Sequence, residues 1–296
     1  MPVFMLVSGY LFAFSRDKQN WTDAIVHKIK TLFMPIILWS LIPFSVSLFA
    51  SWYHGNEGLT VLLLCKKFIS TVLENLWFLW AIFWCSLVVI LVNRFLKNSK
   101  IVYLFGLGLT FFIPDLFGSQ LYRFMYPFFI LGYFCNIEGV IRKYKRIYST
   151  NTFFYISGVA FILLLTQYGY ESYIYTSGYY LFKGQPLHQL YIDIYRFVIG
   201  LIGSIFVMLV IAKLEKSIPP KLVVALLCVG KNSLGIYIIS GFFFSYVLNR
   251  ITYSLSTVNY FITLIETILI LAFSLVATMQ IKKSSMLNKL LLGGRL

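Results

Sequence analysis

The chain has 296 residues, of which 59% are hydrophobic and 12% are charged. A water-soluble domain has no means of hiding so much apolar surface, and one signal peptide does not explain apolar runs that recur along the whole length. The net charge of +15 comes mainly from Lys and Arg residues between these runs, so nucleic acid is not expected as a partner. The composition predicts an all-α, polytopic transmembrane helix bundle in contact with membrane lipids.

Nine apolar runs are candidates for membrane spans, since about 20 helical residues cross a hydrocarbon core of ~30 Å. They lie at about residues 1–15, 31–52, 76–92, 101–117, 123–140, 152–168, 194–212, 232–248 and 259–280. Most of the 25 Lys and Arg residues fall in alternate connections between them. The positive-inside rule places those connections, and the C-terminus with them, in the cytoplasm.

The first run, Met1 to Phe14, has neither a leader nor a basic flank before it. With the C-terminus in the cytoplasm, nine crossings would put Met1 outside the cell, where nothing directs its insertion. One further helix before Met1 would bring both ends inside. We therefore expect that Met1 is an internal methionine and that the chain is truncated at its N-terminus.

Aromatic residues cluster at two places on the predicted outer side. Trp77, Trp80 and Trp84 share one face of a helix, and the first two suit an anchor at the membrane interface. The connection from Tyr168 to Asp193 is rich in tyrosine. Such rings either stack on the apolar face of a sugar or anchor the connection at the membrane surface.

The cysteines stand singly in or beside apolar runs, at Cys65, Cys85, Cys135 and Cys228. No two of them have the spacing of a metal or redox site, so we expect small core residues. We predict no metal site and no bound cofactor.

Five short motifs follow one another along the chain. They are Met1-Pro-Val-Phe4 with Ser8-Gly9-Tyr10-Leu11, the basic stretch from Lys28 to Pro35, Leu76-Trp77-Phe78-Leu79, Tyr126-Pro-Phe-Phe-Ile-Leu-Gly-Tyr133, and Gly230-Lys-Asn-Ser-Leu-Gly-Ile-Tyr237. Each motif is weak alone. In this order and topology they resemble the acyltransferase-3 family of bacterial membrane O-acyltransferases.

The resemblance implies ten transmembrane helices in the intact family, so residues 1–296 are interpreted as a single acyltransferase-3-like domain that lacks the first. It also implies a multi-pass protein of the bacterial inner (cytoplasmic) membrane. Family members are thought to use a histidine of that first helix, downstream of an arginine, and the catalytic residue therefore stays unassigned. Among the visible histidines, His27 is the candidate base. Ser240 stands where the family usually has a late-helix histidine.

The family transfers an acyl group, usually acetyl, from cytoplasmic acyl-CoA to a sugar hydroxyl. Arg16, Lys28 and Lys30 are the predicted donor-binding residues, because their cationic groups match the phosphate oxygens of acetyl-CoA. They are equally well explained as topology charges. Family members often carry arginine at the Lys28–Lys30 position. Lysine keeps the charge but cannot form the bidentate contact that arginine makes with a phosphate.

Trp77 and Arg123 are candidates for the acceptor site, the second as a contact for an anionic acceptor such as a lipid-linked phosphate. Interfacial anchoring explains Arg123 as well. Asp193 and Arg196 are three residues apart on a helix, and an ion pair is the expected reason.

Ser233, Tyr237 and Glu266 are candidates for a cavity in the bundle. Ser233 and Tyr237 lie one turn apart and either bind substrate or pack against a helix. Glu266 is costly within a membrane helix, so it lines a cavity, pairs with another helix or stays protonated in a structural role.

These features favour a membrane O-acyltransferase that acts on a cell-surface glycan or a lipid-linked sugar. A polysaccharide-precursor transporter or flippase is the alternative from another class, and an inactive acyltransferase fragment is the third. No internal repeat with matching broken helices is visible in the sequence, which disfavours the transporter.

Overall fold

The structure is a computed structural model that describes residues 1–15, 20–53, 60–148, 150–215, 217–243 and 260–294. Every regular element in those ranges is helical, as the composition predicts. The helices are α1 Pro2–Ser15, α2 Trp21–Lys28, α3 Met34–Tyr53, α4 Val61–Glu74, α5 Trp77–Phe95, α6 Lys100–Thr110, α7 Ser119–Ile137, α8 Val140–Lys143, α9 Lys145–Tyr148, α10 Asn151–Thr166, α11 Ile174–Ser177, α12 Pro186–Leu214, α13 Pro220–Lys231, α14 Ser233–Phe243, α15 Tyr260–Lys283 and α16 Ser285–Leu291. A π turn, Ile29–Phe33, joins α2 to α3.

Four helical stretches of the described chain are long and apolar enough to cross a membrane: Trp21–Tyr53, Trp77–Phe95, Pro186–Leu214 and Ile262–Lys283. A fifth is the pair α13 and α14, if the two are counted as one span bent by 70°. A multi-pass helical membrane protein is therefore supported, but nine separate spans are not confirmed. The end of the predicted run 232–248 lies outside the described residues.

The connection between the first two predicted spans is helical from Trp21 onward. Asp23 lies in the first turn of α2, where a carboxylate is favoured by the helix dipole. Ala24 and Ile25 pack against the buried core cluster. The π turn before Pro35 provides a place to accommodate the missing proline amide, so that the helix continues into α3.

The chain divides into two compact units. Unit 1 consists of Met1–Lys28 and Trp77–Ser217, and unit 2 consists of Ile29–Leu76 and Ile218–Leu296.

Unit 1 is built around a crossing of α1 and α7 that depends on two glycines. A Cβ atom placed on Gly9 would overlap the carbonyl oxygen of Phe129, and one placed on Gly132 would overlap the carbonyl oxygen of Leu6. Small residues allow this close backbone approach, which is a common means of packing helices in lipid. Two of the five motifs, the one with Ser8-Gly9 and the one ending Gly132-Tyr133, are therefore the two halves of one helix contact.

The contacts between helix termini give unit 1 two different ends. At one end, Lys100 forms an ion pair with Glu138, and Lys213 Nζ donates to Asn151 Oδ1 at 3.0 Å. We call this the basic end, because it also carries the basic residues that follow α5 and α7. The opposite end holds the tyrosine-rich connection between α10 and α12, and we call it the aromatic end.

Unit 2 contains an antiparallel pair, α14 and α15, and a short terminal helix. Gly235 of α14 lies so close to Thr278 of α15 that a Cβ atom there would overlap the threonine side chain. Helix α16 returns to α3, where the Trp39 indole N–H donates to the carbonyl of Leu291 at 2.9 Å. Close approach by a small residue thus also organises unit 2.

Candidate functional site

A polar cavity of about 430 Å³ opens at the basic end of unit 1. Its apolar wall consists of Phe12, Trp21, Ala24 and Ile90. Its polar and charged lining residues are Ser15, Asn20, His27, Lys28, Asn93 and Arg94. A cavity with cationic and amide donors on an apolar wall suits an anionic ligand with an organic body.

The cavity exists because α2 packs across the C-terminal parts of α1 and α5. Trp21 of α2 meets Phe95 of α5 with ring centroids 6.3 Å apart. Lys28 Nζ lies 4.8 Å from the centre of the Phe12 ring of α1. Phe12 thus provides an apolar and cation-attracting surface that positions the ammonium group at the cavity.

Of the three predicted donor-binding residues, one lines the polar cavity. Lys28 lines the polar cavity together with the candidate base His27. Lys30 is exposed and belongs to unit 2, while Arg16 lies outside the described residues. A donor role for Lys30 and a base role for His27 stay predictions from the sequence.

Sequence reasoning missed Arg94, which lines the same cavity as Lys28. The sequence groups it with the basic residues of the connections, which indicate membrane orientation. Arg94 is exposed and forms no ion pair with any residue that the structure describes. The sequence signal for its role is a cation directly after the polar Asn93, at the end of an apolar helix.

The neighbouring Asn93 is positioned by the last residue of the Tyr126–Tyr133 motif. Asn93 Nδ2 donates to the Tyr133 hydroxyl oxygen at 2.9 Å, and Tyr133 is fully buried. The Tyr103 hydroxyl donates to Asn98 Oδ1 at 3.0 Å beside it. Because a buried side-chain network is rigid when it is satisfied, Tyr133 holds one wall of the polar cavity in place.

An aromatic cavity of about 470 Å³ lies at the opposite end of unit 1. Its aromatic lining residues are Trp77, Phe124, Phe161, Tyr168, Tyr173 and Tyr175. The sequence-predicted candidate Trp77 therefore lines a cavity together with the tyrosines of the α10–α12 connection. Burial raises the pKa of Tyr175, and the neighbouring Tyr173 adds to this, so the Tyr175 hydroxyl remains a neutral donor.

A buried side chain of α12, Arg196, makes several of the hydrogen bonds that hold the connection over this cavity. Its guanidinium forms the expected ion pair with Asp193 at 2.7 Å. It also donates to the backbone carbonyls of Ser172 at 2.8 Å, Gly178 at 2.7 Å and Glu171 at 2.8 Å. The predicted pair is thus confirmed, and its role is to fasten the tyrosine-rich connection to α12.

The prediction that Arg123 contacts an anionic acceptor or the membrane interface is wrong in this structure. Arg123 is 8% exposed and pairs with Asp115. Its guanidinium also donates to the carbonyls of Thr110, at 2.7 Å, and Ile113. The arginine therefore caps the end of α6 and fastens the loop before α7, and this explains why α6 ends earlier than predicted.

The outer tryptophans differ from one another. Trp80 is 4% exposed, so it is a core residue of unit 1 and cannot act as an interfacial anchor. Its ring stacks on Trp84, which is exposed, with centroids 6.2 Å apart.

The three remaining candidates belong to unit 2. Ser233 is exposed at the start of α14, and Tyr237 and Glu266 are half-buried. The close helix approach expected near Ser233 occurs at Gly235. Neither cavity of unit 1 is lined by these residues, and their binding roles stay predictions.

Comparison with known proteins identifies the family of the chain. The family described as an acyltransferase domain matches residues 1–281, so the chain belongs to this acyltransferase family, as its motifs predict. It is similar to the nodulation protein NolL of Mesorhizobium japonicum, with 25% identity over 65% of this chain and 51% of that protein. It is also similar to the nodulation protein NolL of Sinorhizobium fredii, with 30% identity over 45% of this chain and 36% of that protein.

The match thus spans about half the length of the first relative and less of the second. No solved structure matches the chain.

Proposed function

We propose that this chain is a membrane O-acyltransferase that moves an acyl group, most simply acetyl, from cytoplasmic acyl-CoA to a hydroxyl of a cell-surface glycan or a lipid-linked sugar. Membership of the acyltransferase family supports the reaction class. The observation that carries the proposal is the pair of unlike cavities at the two ends of α1 and α5. One is polar and cationic, and the other is aromatic.

The distance between these cavities fits a reaction with reactants on two sides of a membrane. Trp77 lines the aromatic cavity and Arg94 lines the polar one, and both belong to α5. Seventeen helical steps of 1.5 Å separate them by about 26 Å, close to the ~30 Å of a hydrocarbon core. In this proposal the polar cavity opens to the cytoplasm of a bacterial inner membrane, where acyl-CoA is present.

The chemistry is the attack of a sugar hydroxyl oxygen on the thioester carbonyl carbon. The new C–O bond forms while the C–S bond breaks, and the hydroxyl proton passes through a base to the departing thiolate of coenzyme A. Lys28 and Arg94 hold the phosphates, and Tyr133 keeps Asn93 in place beside them. The base is not assigned; the candidate His27 lies at the polar cavity, so it can serve only if the acceptor hydroxyl reaches that end.

A radiolabelled transfer assay tests the proposal. We expect that membranes containing the full-length protein move label from [acetyl-¹⁴C]acetyl-CoA to an endogenous glycan, and that mild alkali releases the label as acetate. The ester bond explains the alkali sensitivity. Label that stays with coenzyme A in membranes with correctly folded protein would contradict the proposal.

Changing Lys28 and Arg94 together to alanine is expected to raise the acetyl-CoA KM at least roughly ten-fold. Each lost charge-assisted hydrogen bond costs about 1.5–3 kcal/mol, and 1.4 kcal/mol corresponds to a factor of ten. Steady-state kinetics of the transfer measure this. Arg142→Ala, an exposed basic residue after α7, is the matched control and should leave the KM unchanged. If Lys30→Ala raised the acetyl-CoA KM and the Lys28 and Arg94 double variant did not, the donor would bind outside the polar cavity.

One observation favours the transporter as a second candidate. Helices α13 and α14 meet at 70°, and broken helices are typical of transporter binding sites. Uptake of a labelled lipid-linked sugar into protein-containing vesicles without acyl-CoA would support it. Under the acyltransferase proposal, such vesicles show no uptake above the protein-free level.

A further inference from the structure

The two arginines at the aromatic end of unit 1 have no N–H group left for a ligand. A guanidinium has five N–H donors. All five of Arg196 are used, by the carbonyls of Ser172, Gly178 and Glu171, the Asp193 carboxylate and the Ser177 hydroxyl. Arg196 is the only Lys or Arg side chain that lines the described aromatic cavity.

The N–H donors of Arg123 are engaged in the same way, although Arg123 does not line the cavity. Its donors go to Asp115, to the carbonyls of Thr110, Ile113, Pro114 and Ser119, and to the Ser119 hydroxyl. Breaking any of these bonds for a ligand would leave a buried polar group unpaired, which costs about 1–3 kcal/mol.

Two carboxylates of this region also have their counter-charges. Asp115 pairs with Arg123, and Asp193 pairs with Arg196. An anion entering the aromatic cavity would lose its hydration and meet pairs whose charges already cancel. No Lys or Arg side chain of the described lining therefore has a free N–H group to compensate the cost of burying a negative charge.

The remaining lining groups match an uncharged sugar. Trp77, Tyr173 and Tyr175 provide flat apolar rings with hydroxyl and indole donors at their edges. The rings of Tyr173 and Tyr175 lie 5.1 Å apart at 41° and form an angled surface. Aromatic rings with polar edges suit the C–H faces and hydroxyls of a pyranose.

We infer that the aromatic cavity binds a neutral glycosyl residue of the acceptor and discriminates against uronates and phosphorylated sugars. The inference rests on the proposed function, because it takes this cavity as the acceptor site. Anionic parts of a larger acceptor, such as a lipid-linked phosphate, lie outside the cavity.

Saturation-transfer NMR on the purified protein in lipid nanodiscs tests this inference. The probes are the methyl β-glycosides of glucose and galactose, each compared with its matched methyl uronide, which differs by one carboxylate. We expect each uronide to bind at least roughly ten-fold more weakly than its neutral partner, equivalent to 1.4 kcal/mol. Equal or tighter uronide binding, or no binding of either neutral glycoside, would overturn the inference.

Two tyrosine variants connect the NMR signal to the cavity. Tyr173→Ala should weaken neutral glycoside binding about three- to ten-fold through the loss of one stacking surface. Tyr170→Ala is the matched control, since Tyr170 belongs to the same connection but is 82% exposed and does not line the cavity. Equal effects of the two variants, or occupation of the site by a fluorinated fatty acid in place of the sugars, would contradict the inference.

This experiment separates the inference from the proposed function, because it measures binding without acyl-CoA. Neutral-sugar preference with no acetyl transfer would remove the acyltransferase proposal and keep the binding preference. Acetyl transfer together with uronide preference would keep the enzyme and remove the inference.

Discussion

Gly9→Ala is expected to prevent α1 from packing on α7 and to leave little or no folded protein. The added methyl group would overlap the Phe129 carbonyl oxygen, which is part of the α7 backbone and has no rotamer by which to move aside. The two helix axes would have to separate along their whole contact. We expect a loss of about 3 kcal/mol or more, at the upper limit of the usual cost of overpacking.

Thermal unfolding in detergent, with the yield of monodisperse protein from gel filtration, measures this effect. Gly108→Ala is the control, because a Cβ atom on Gly108 meets nothing within 4 Å. Gly132→Ala should match Gly9→Ala, since it breaks the same contact from the other side. Wild-type stability in Gly9→Ala would mean that α1 and α7 do not cross as described.

Arg196→Met is expected to destabilise unit 1 by about 3–5 kcal/mol and to abolish binding at the aromatic cavity. The variant removes five hydrogen bonds and leaves the Asp193 carboxylate, which is 2% exposed, without its counter-charge. The residues from Glu171 to Gly178 would lose most of their hydrogen bonds to α12 and keep those of Gln189 with Gly178 and of His188 with Glu171. Since Tyr173 and Tyr175 belong to this segment, the cavity wall would be lost with it.

A double-mutant comparison separates the effect of the unpaired Asp193 charge from the effect of losing the hydrogen bonds to the connection. Asp193→Asn added to Arg196→Met should restore part of the thermal stability, because it removes the uncompensated charge, but it should not restore sugar binding. Arg142→Met, at an exposed position, should change the unfolding temperature little. If Arg196→Met binds methyl glucoside normally, the connection is held by other contacts.

Much of the candidate site follows from local sequence spacing. Asp193 and Arg196 are one helical turn apart, so their pairing is a local property that the sequence shows directly. Lys28 and His27 occur in a basic stretch with a recognisable family pattern. These features depend on neighbours in the chain. The structure places Lys28 and His27 at the polar cavity and Arg196 at the aromatic one, with Asp193 paired to it.

The error at Arg123 has a different origin. Its partners are mainly backbone carbonyl oxygens, such as those of Thr110 and Ile113, and every residue carries such an oxygen. A buried capping arginine and an interfacial arginine therefore look alike in a sequence. Arg94 was missed for a related reason, since its place at the cavity depends on how α2 crosses α5.

The glycine contact between α1 and α7 shows a third reason why the sequence does not predict the whole fold. The motifs containing Gly9 and Gly132 are visible in the sequence and carry the family resemblance. Their spacing along the chain does not show that each is the other's partner. The same holds for the 70° angle between α13 and α14, which lies at the start of the predicted run 232–248.

The separation of the two cavities along α5 has a kinetic consequence. If thioester and sugar enter from opposite ends, neither has to leave before the other arrives, and a ternary complex forms in either order. Free coenzyme A should then inhibit competitively against the thioester and non-competitively against the sugar. If both reactants entered by the same opening, they would instead compete with each other for binding.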